Sequence, residues 1–380
     1  MRNDCSPLIA NGCRTSFGRV LDQIAEAMDR RDVPALQLHL SVREPALSLD
    51  AVAGRATCGK MTTGTRHRLW CQIKPVVGML AAKLAEDSGW PPDVPISELG
   101  VEHQFIPVSE ITLSDVLSHR TPYWRPGAGH IMVTPPGARA GLFSEIGRPG
   151  YHFAATQTYS EYVTWELLSE SIHRLTGAPA SVYLQNELDS SGIGIIVAPT
   201  DDQLAHWEDS VGCYYDLDCK DQVPFLHDLA PSIASDFIAG ASGYGSMRQL
   251  GRWGDGLLDA LRGEASRLPS LIPSPAYVAA LADRARGTRY DVALDATIDA
   301  ACGMLHGDLS ALKFGERPSH HAYAQMGWSY SSWMLIDPVP GLVLCVLTNA
   351  VTSTRGHWDS LRERLVTAAY DDIACAATSE

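Results

Sequence analysis

The sequence predicts an α/β fold with an added all-helical lobe: an antiparallel sheet flanked by N- and C-terminal helices, with a helical domain inserted. Three observations predict it. Period-two strand patterns lie near both ends of the chain, the long middle reads as helices broken by Pro/Gly loops, and 380 residues suffice for two lobes around a large core. Strands at opposite ends of a chain satisfy their hydrogen bonds in one shared sheet, which leaves the intervening residues to form a lobe of their own.

Phe17 to Asp32 carries apolar residues at helical spacing. Ala35-Leu36-Gln37-Leu38-His39-Leu40-Ser41-Val42 alternates as a half-buried strand should. Ala46 to Val52 alternates too, after the short Arg43-Glu44-Pro45 connection, so the pair reads as a hairpin. From Lys74 to about Ala265 the signals are mostly helical. The Pro/Gly-rich interval 122–149 is longer than a connector needs and reads as a lid or rim. Strand patterns return over 323–330, 331–336 and 342–347, and a helix over 357–374 closes the chain. The expected division is therefore a discontinuous sheet domain, 1–70 with 310–380, around a mainly helical domain, 71–309.

Composition narrows the function. Hydrophobic residues are 45% and charged residues 19%, an ordinary globular mixture. No apolar run approaches the roughly 18 residues of a membrane span, and the best, Gly341 to Leu347, has strand length. The start, Met1-Arg2-Asn3-Asp4-Cys5, has no apolar h-region after it, so the expected location is cytoplasmic. Nine cysteines, an odd number with no Cys-x-x-Cys pair, point to thiols in a reducing compartment. A net charge of -14 argues against nucleic acid and anionic membranes as partners and permits a cationic substrate. His320-His321 is an adjacent pair without the i, i+4 spacing of a zinc helix, and Cys213 and Cys219 bring no further ligands, so no metal or other cofactor is expected.

The chemistry begins at Cys71-Gln72-Ile73-Lys74, which follows Trp70 and opens the helical run Pro75 to Leu84. A nucleophile three positions before a lysine on a first helical turn shares a face with it, the geometry of a Ser-x-x-Lys acyl-enzyme site with sulfur in place of oxygen. Alone, such a tetrapeptide also describes a core cysteine beside a surface lysine. Its surroundings carry more. Ile111 to Thr121, Tyr159-Ser160-Glu161 with Leu167 to Gly177, Ala239 to Leu250, and Gln325-Met326-Gly327-Trp328-Ser329 with Asp337-Pro338, Gly341-Leu342-Val343 and Leu347-Thr348-Asn349 follow in order. Together they resemble the serine β-lactamase and penicillin-binding-protein superfamily, in its class C, esterase and lovastatin-type transacylase branch.

The resemblance implies a β-lactamase/transpeptidase-like fold with the active site in the cleft between the lobes. It implies Cys71 as nucleophile, Lys74 as the group that deprotonates or holds the thiolate, and Tyr159 as proton shuttle. The backbone N–H groups of Cys71 and Trp328 would form the oxyanion hole, with Glu161, Gln325 and Gly327 binding substrate. Three departures limit what carries over: cysteine for the serine, Glu161 for the asparagine of Tyr-x-Asn, and Gln325-Met326-Gly327 for Lys- or His-Thr-Gly. Loss of the third-motif cation argues against β-lactam hydrolysis.

A thioester passes its acyl group readily to amines and thiols and slowly to water, so a shielded cysteine acyl-enzyme favours transfer. The expected activity is ATP-independent acyl transfer of the kind found in natural-product biosynthesis, from an ester or thioester donor, free or carrier-bound, to an amine or hydroxyl acceptor. The alternatives are an esterase, amidase or thioesterase with water as acceptor, and a non-catalytic relative that binds a ligand in the cleft.

Overall fold

Strand Ala35–Val42 (β2) is covered on both of its faces. The computed structural model describes residues 8–56, 59–103, 106–121, 158–160, 162–206, 211–219, 237–284, 287–291, 293–354 and 356–378. On one face Leu36, Leu38, Leu40 and Val42 join a core with Val20, Ile24 and Ala27 of helix Gly18–Asp29 (α1) and with Leu361, Leu365, Val366 and Ile373 of the C-terminal helix Asp359–Ala377.

The other face is polar and is largely covered. Gln37, His39, Ser41 and Arg43 run along helix Met247–Leu261, which Ser246 and Gln249 start with a reciprocal capping box. Gln37 accepts the Met247 N–H at 2.7 Å, the His39 ring lies under Gly251, Ser41 donates to Asp255 at 2.6 Å, and Arg43 pairs with Asp259. Two residues of strand advance about 6.7 Å and four residues of helix about 6 Å, so positions 37, 39, 41 and 43 keep step with 247, 251, 255 and 259. The alternation that reads as a half-buried strand is a strand buried on both sides.

The sheet contains Ile9–Gly12 (β1), β2, Leu47–Ala56 (β3), Arg289–Asp291 (β4), Ala296–Ala301 (β5), Met304–His306 (β6), Tyr323–Met326 (β7), Ser332–Asp337 (β8) and Leu342–Leu347 (β9), in the order β1-β3-β2-β9-β8-β7-β6-β5-β4, with Gly59–Lys60 added beside β3. All of these pairings are antiparallel. The β2–β9 pairing joins the N-terminal and C-terminal parts of the chain, with Val42 opposite Leu342 and Gln37 opposite Leu347.

Two boundaries differ from expectation. The sheet's C-terminal part begins at Arg289 rather than 310: β4 and β6 are only three residues long and β5, Ala-Thr-Ile-Asp-Ala-Ala, is rich in alanine, so the three carry little strand signature. The turn between β5 and β6 is a two-residue loop with positive φ at Cys302 (56°) and Gly303 (75°), as a tight hairpin requires. The strand expected over 323–330 ends at Met326, since Gly327 N–H returns to Ser332 O at 2.8 Å and Ser329 and Tyr330 turn left-handed. The 122–149 loop lies outside the described residues.

The helical lobe is built on Lys74–Asp87 (α2), with Pro75 in its first turn, where a missing N–H costs nothing. Buried residues surround this helix on all sides, so it is the axis of the lobe. Gly78 admits Leu117 and Trp165 so closely that an added Cβ would stand 2.6 Å from the leucine.

The polar seam gives a test. A Cβ at Gly251 would stand 2.0 Å from the His39 ring, which Asp50 holds at 2.8 Å. Gly251→Ala should therefore destabilise by about 1–3 kcal/mol through overpacking, although helix propensity alone would stabilise by about 1 kcal/mol. Urea unfolding of the two proteins decides the sign, and a more stable alanine variant would mean the seam is loosely packed.

Candidate active site

Cys71 lies on a single 3-10 turn, Trp70–Ile73, that runs directly into α2. Its entry is strained: Leu69 N–H is tied to Gly243 O at 2.8 Å, and Trp70, a bulky residue, takes a left-handed φ of 53°. Trp70, Gln72, Ile73 and Lys74 are buried, so within this segment the cysteine alone is left partly exposed.

Lys74 is fully buried and donates to Gly240 O at 2.7 Å. Its ammonium stands 5.3 Å from the ring centre of Tyr159, 5.7 Å from that of Tyr162 and 5.8 Å from that of Trp165. Among the described residues no carboxylate lies within ion-pair distance of it. Aromatic faces and one carbonyl therefore hold the charge, a partial compensation for its lost hydration. The side chain is a fixed cation beside the tyrosine, and it forms no hydrogen bond to Cys71.

Tyr159 belongs to no helix or strand, so side chains must fix it. Asp291 accepts its N–H at 2.6 Å and the neighbouring Thr158 hydroxyl at 3.1 Å. Its ring is stacked on His119 with centres 4.3 Å apart.

Gln325, on β7, joins these parts. Its Nε2 donates to Cys71 O at 3.0 Å and to the Tyr159 hydroxyl at 3.3 Å. The side chain is only 1% exposed, so its donors face protein groups where the sequence suggested contact with substrate. Gly327 permits the close return of the chain: a Cβ there would meet Ser332 Oγ at 2.2 Å. Trp328 follows it, with its ring edge-on to Trp70 at 4.6 Å, which sets the end of β7 beside the turn that carries Cys71. Glu161 lies outside the described residues.

Five of the seven residues singled out from the sequence thus cluster by direct contact or through Trp70: Cys71, Lys74, Tyr159, Gln325 and Trp328. Gly327 makes room for the arrangement. Sequence reasoning missed His119 and Asp291. His119 stood inside a matched segment without a role, and nothing near Asp291 marked it.

A family model described as Beta-lactamase matches residues 21–368. The chain belongs to the β-lactamase family. No curated protein matches it significantly. Among solved structures, a penicillin-binding protein homologue from Caulobacter crescentus matches with a TM-score of 0.75 at 16% identity, over 97% of this chain and 100% of that one. A family VIII carboxylesterase gives 0.73 at 17%, over 96% and 100%. EstCE1, described as a hydrolase with promiscuous acyltransferase activity, gives 0.71 at 16%, over 94% and 99%. At these identities the likeness is one of fold.

Within this β-lactamase-family chain the other thiols differ from Cys71. Burial pushes Cys302 up to about 12 and Cys345 well above the ordinary thiol range, so both stay protonated and inert. Among the described residues no helix is long and apolar enough to cross a membrane.

Two expectations follow from these environments. Iodoacetamide should label Cys71 ahead of the exposed Cys375, leave Cys302 and Cys345 unmodified in the folded protein, and label Cys71 severalfold more slowly in Lys74→Met; mass mapping of the adducts checks the order, and equal labelling of Cys71 in both proteins would remove Lys74 from its activation.

The second concerns pH. Burial lowers His67 to about 3 and holds His119 well below the usual histidine range, where the nearby charges of Lys74 and Arg289 lower it further. The unfolded chain takes up protons near pH 6.5 that the folded one refuses, so each ring costs about 1.4 kcal/mol of stability per pH unit as pH falls below that value. Urea unfolding at about pH 7 and about pH 5 should show this loss, and His67→Gln should lose roughly half as much. An identical loss in the variant would show that His67 does not contribute.

Proposed function

We propose that this protein is an ATP-independent acyltransferase that carries its acyl group as a thioester on Cys71. The observation that carries this reading is the Gln325 amide, whose Nε2 reaches both Cys71 O and the Tyr159 hydroxyl, so that a residue of a C-terminal strand ties the turn of the nucleophile to the proton shuttle. The partly exposed cysteine three residues before a buried lysine, and a structural neighbour described as a hydrolase with promiscuous acyltransferase activity, support it.

The steps balance on these residues. The Cys71 thiolate attacks the carbonyl carbon of an ester or thioester donor, and the oxyanion is held by the Cys71 and Trp328 N–H groups. The tetrahedral species collapses, the bond to the leaving alkoxide or thiolate breaks, and Tyr159 gives that group its proton. An amine or hydroxyl acceptor then attacks the thioester, its proton returns to Tyr159, and the Cys71 thiolate leaves. Lys74 stabilises the tyrosinate between the two halves by charge. The Gln325 amide is a neutral donor to the tyrosine where the family presents a cation, so it can orient the hydroxyl but attracts no substrate carboxylate. That favours acyl donors other than β-lactams.

Intact-mass spectrometry of the protein with a simple thioester, with and without an amine, tests the proposal. The expected result is a single acyl adduct on Cys71 that persists in buffer and disappears, with amide formed, when amine is added. Rapid loss of the adduct in buffer alone would make the protein a hydrolase, and no adduct with any ester or thioester would leave a binding role for the cleft. Cys71→Ser should slow transfer by about a hundredfold, because a hydroxyl depends on general-base help that a thiolate does not need; a fully active serine variant would show that sulfur is not required.

A further inference from the structure

We infer that His119 is the positioning residue that holds Tyr159 in its working orientation, an inference that rests on the acyl-transfer reading above. Tyr159 has no regular secondary structure around it, and one imidazole makes two contacts to this short segment. The His119 ring lies 4.3 Å from the tyrosine ring at an interplanar angle of 24°, and its Nδ1 accepts the N–H of Ser160 at 3.2 Å. The flat ring fixes the plane of the shuttle and the nitrogen fixes the backbone next to it.

His119 is itself held in an unfavourable conformation to do this. Its φ is 53°, in the left-handed region that a non-glycine residue occupies only when its surroundings insist. Those surroundings are visible. Arg289 Nη2 binds both Ser118 O at 3.1 Å and His119 O at 2.6 Å, and Thr158 N–H closes a bridge to Thr121 O at 3.1 Å. The carboxylate of Asp291, two residues from Arg289 on β4, accepts the Tyr159 N–H. The two segments, 118–121 and 158–160, are thus clamped together with the imidazole between a backbone amide and a phenol ring.

The contacts require histidine in its neutral form. Phenylalanine would keep the stack and leave the Ser160 N–H unpaired, asparagine would keep an acceptor and lose the stack, and an imidazolium has no acceptor nitrogen. The ring is 1% exposed, and the Lys74 and Arg289 charges oppose its protonation.

Positioning the shuttle has a signature that general structural support lacks. Tyr159 supplies a proton to the departing group, so its placement matters for an alkyl ester, whose alkoxide must be protonated, and hardly at all for a p-nitrophenyl ester, whose phenoxide leaves unaided. Acylation of Cys71 by both donors, followed by mass spectrometry in wild type, His119→Asn, His119→Phe, Tyr159→Phe and the double variants, reads this directly. The expected result is a loss of about tenfold or more with the alkyl ester, a loss of less than about threefold with the activated ester, and no further loss when His119 is changed in the Tyr159→Phe background. Equal slowing with both donors, or additive losses in the double variants, would overturn the inference while leaving the acyl-enzyme in place. Failure of the wild type to take up either donor would overturn the acyl-transfer reading and this role together. Nitrogen NMR of the wild-type protein gives a measurement independent of how the variants fold: His119 should show a neutral ring with Nδ1 unprotonated from about pH 8 to about pH 5, and an Nδ1-protonated ring in that range would overturn the inference.

Discussion

The pairing of β2 with β9 within the sheet is the constraint on which the rest depends. It joins the N-terminal hairpin to the C-terminal strands in register from Val42–Leu342 to Gln37–Leu347. Once that seam is closed, the residues between the two ends must leave the sheet and return to it. They leave after β3 through His67 to Trp70, and β7, one of the returning strands, ends at Met326 beside that same exit. The start of α2, with Cys71, therefore meets the end of β7, with Gln325, for reasons of topology before any side chain is considered. Sheet and helical lobe then supply different parts of one site.

The site's electrostatics are unusual for the amount of burial. Lys74 is a fully buried cation compensated by aromatic rings and one carbonyl, with no carboxylate near it among the described residues. Such a charge is expensive to bury and is stabilised by any anion that forms beside it. A thiolate at Cys71 and a tyrosinate at Tyr159 are the two anions that the proposed cycle creates there. The neutral Gln325 amide keeps the geometry of the site without adding a second positive charge to that of Lys74.

Polar groups also organise the scaffold away from the site. The seam between β2 and Met247–Leu261 is lined by Gln37, His39, Ser41 and Arg43 against Met247 N, Gly251, Asp255 and Asp259, where an apolar sheet face would ordinarily stand. Directional bonds at matched spacing admit one register of helix on strand, whereas an apolar face tolerates sliding. The helix so fixed begins immediately after the 240–245 turn, whose Gly240 carbonyl holds Lys74 and whose Gly243 carbonyl holds Leu69. The seam thereby bears on the placement of the turn that carries Cys71, well beyond its own contacts.

What the sequence determined by itself was the class of fold and the ordered set of motifs. Period-two runs at both ends, helical runs between them and Cys-x-x-Lys at a helix start are local patterns, and local patterns are legible because each depends on residues a few positions apart. Which face of β2 is buried was not legible, since alternation shows that the two faces differ and cannot show that a polar helix covers the second. Strands β4 to β6 were hidden because β4 and β6 are too short to show an alternation and the alanine-rich β5 has little strand propensity of its own. The parts of the site that tertiary structure alone decided are those made by residues far apart in sequence: the Gln325 amide reaching Cys71 and Tyr159, the aromatic surround of Lys74, and His119 and Asp291 closing on the tyrosine from different elements. A hydrogen bond between residues 325 and 71 leaves no periodicity in either segment, because its cause is the closure of the sheet that brings them together.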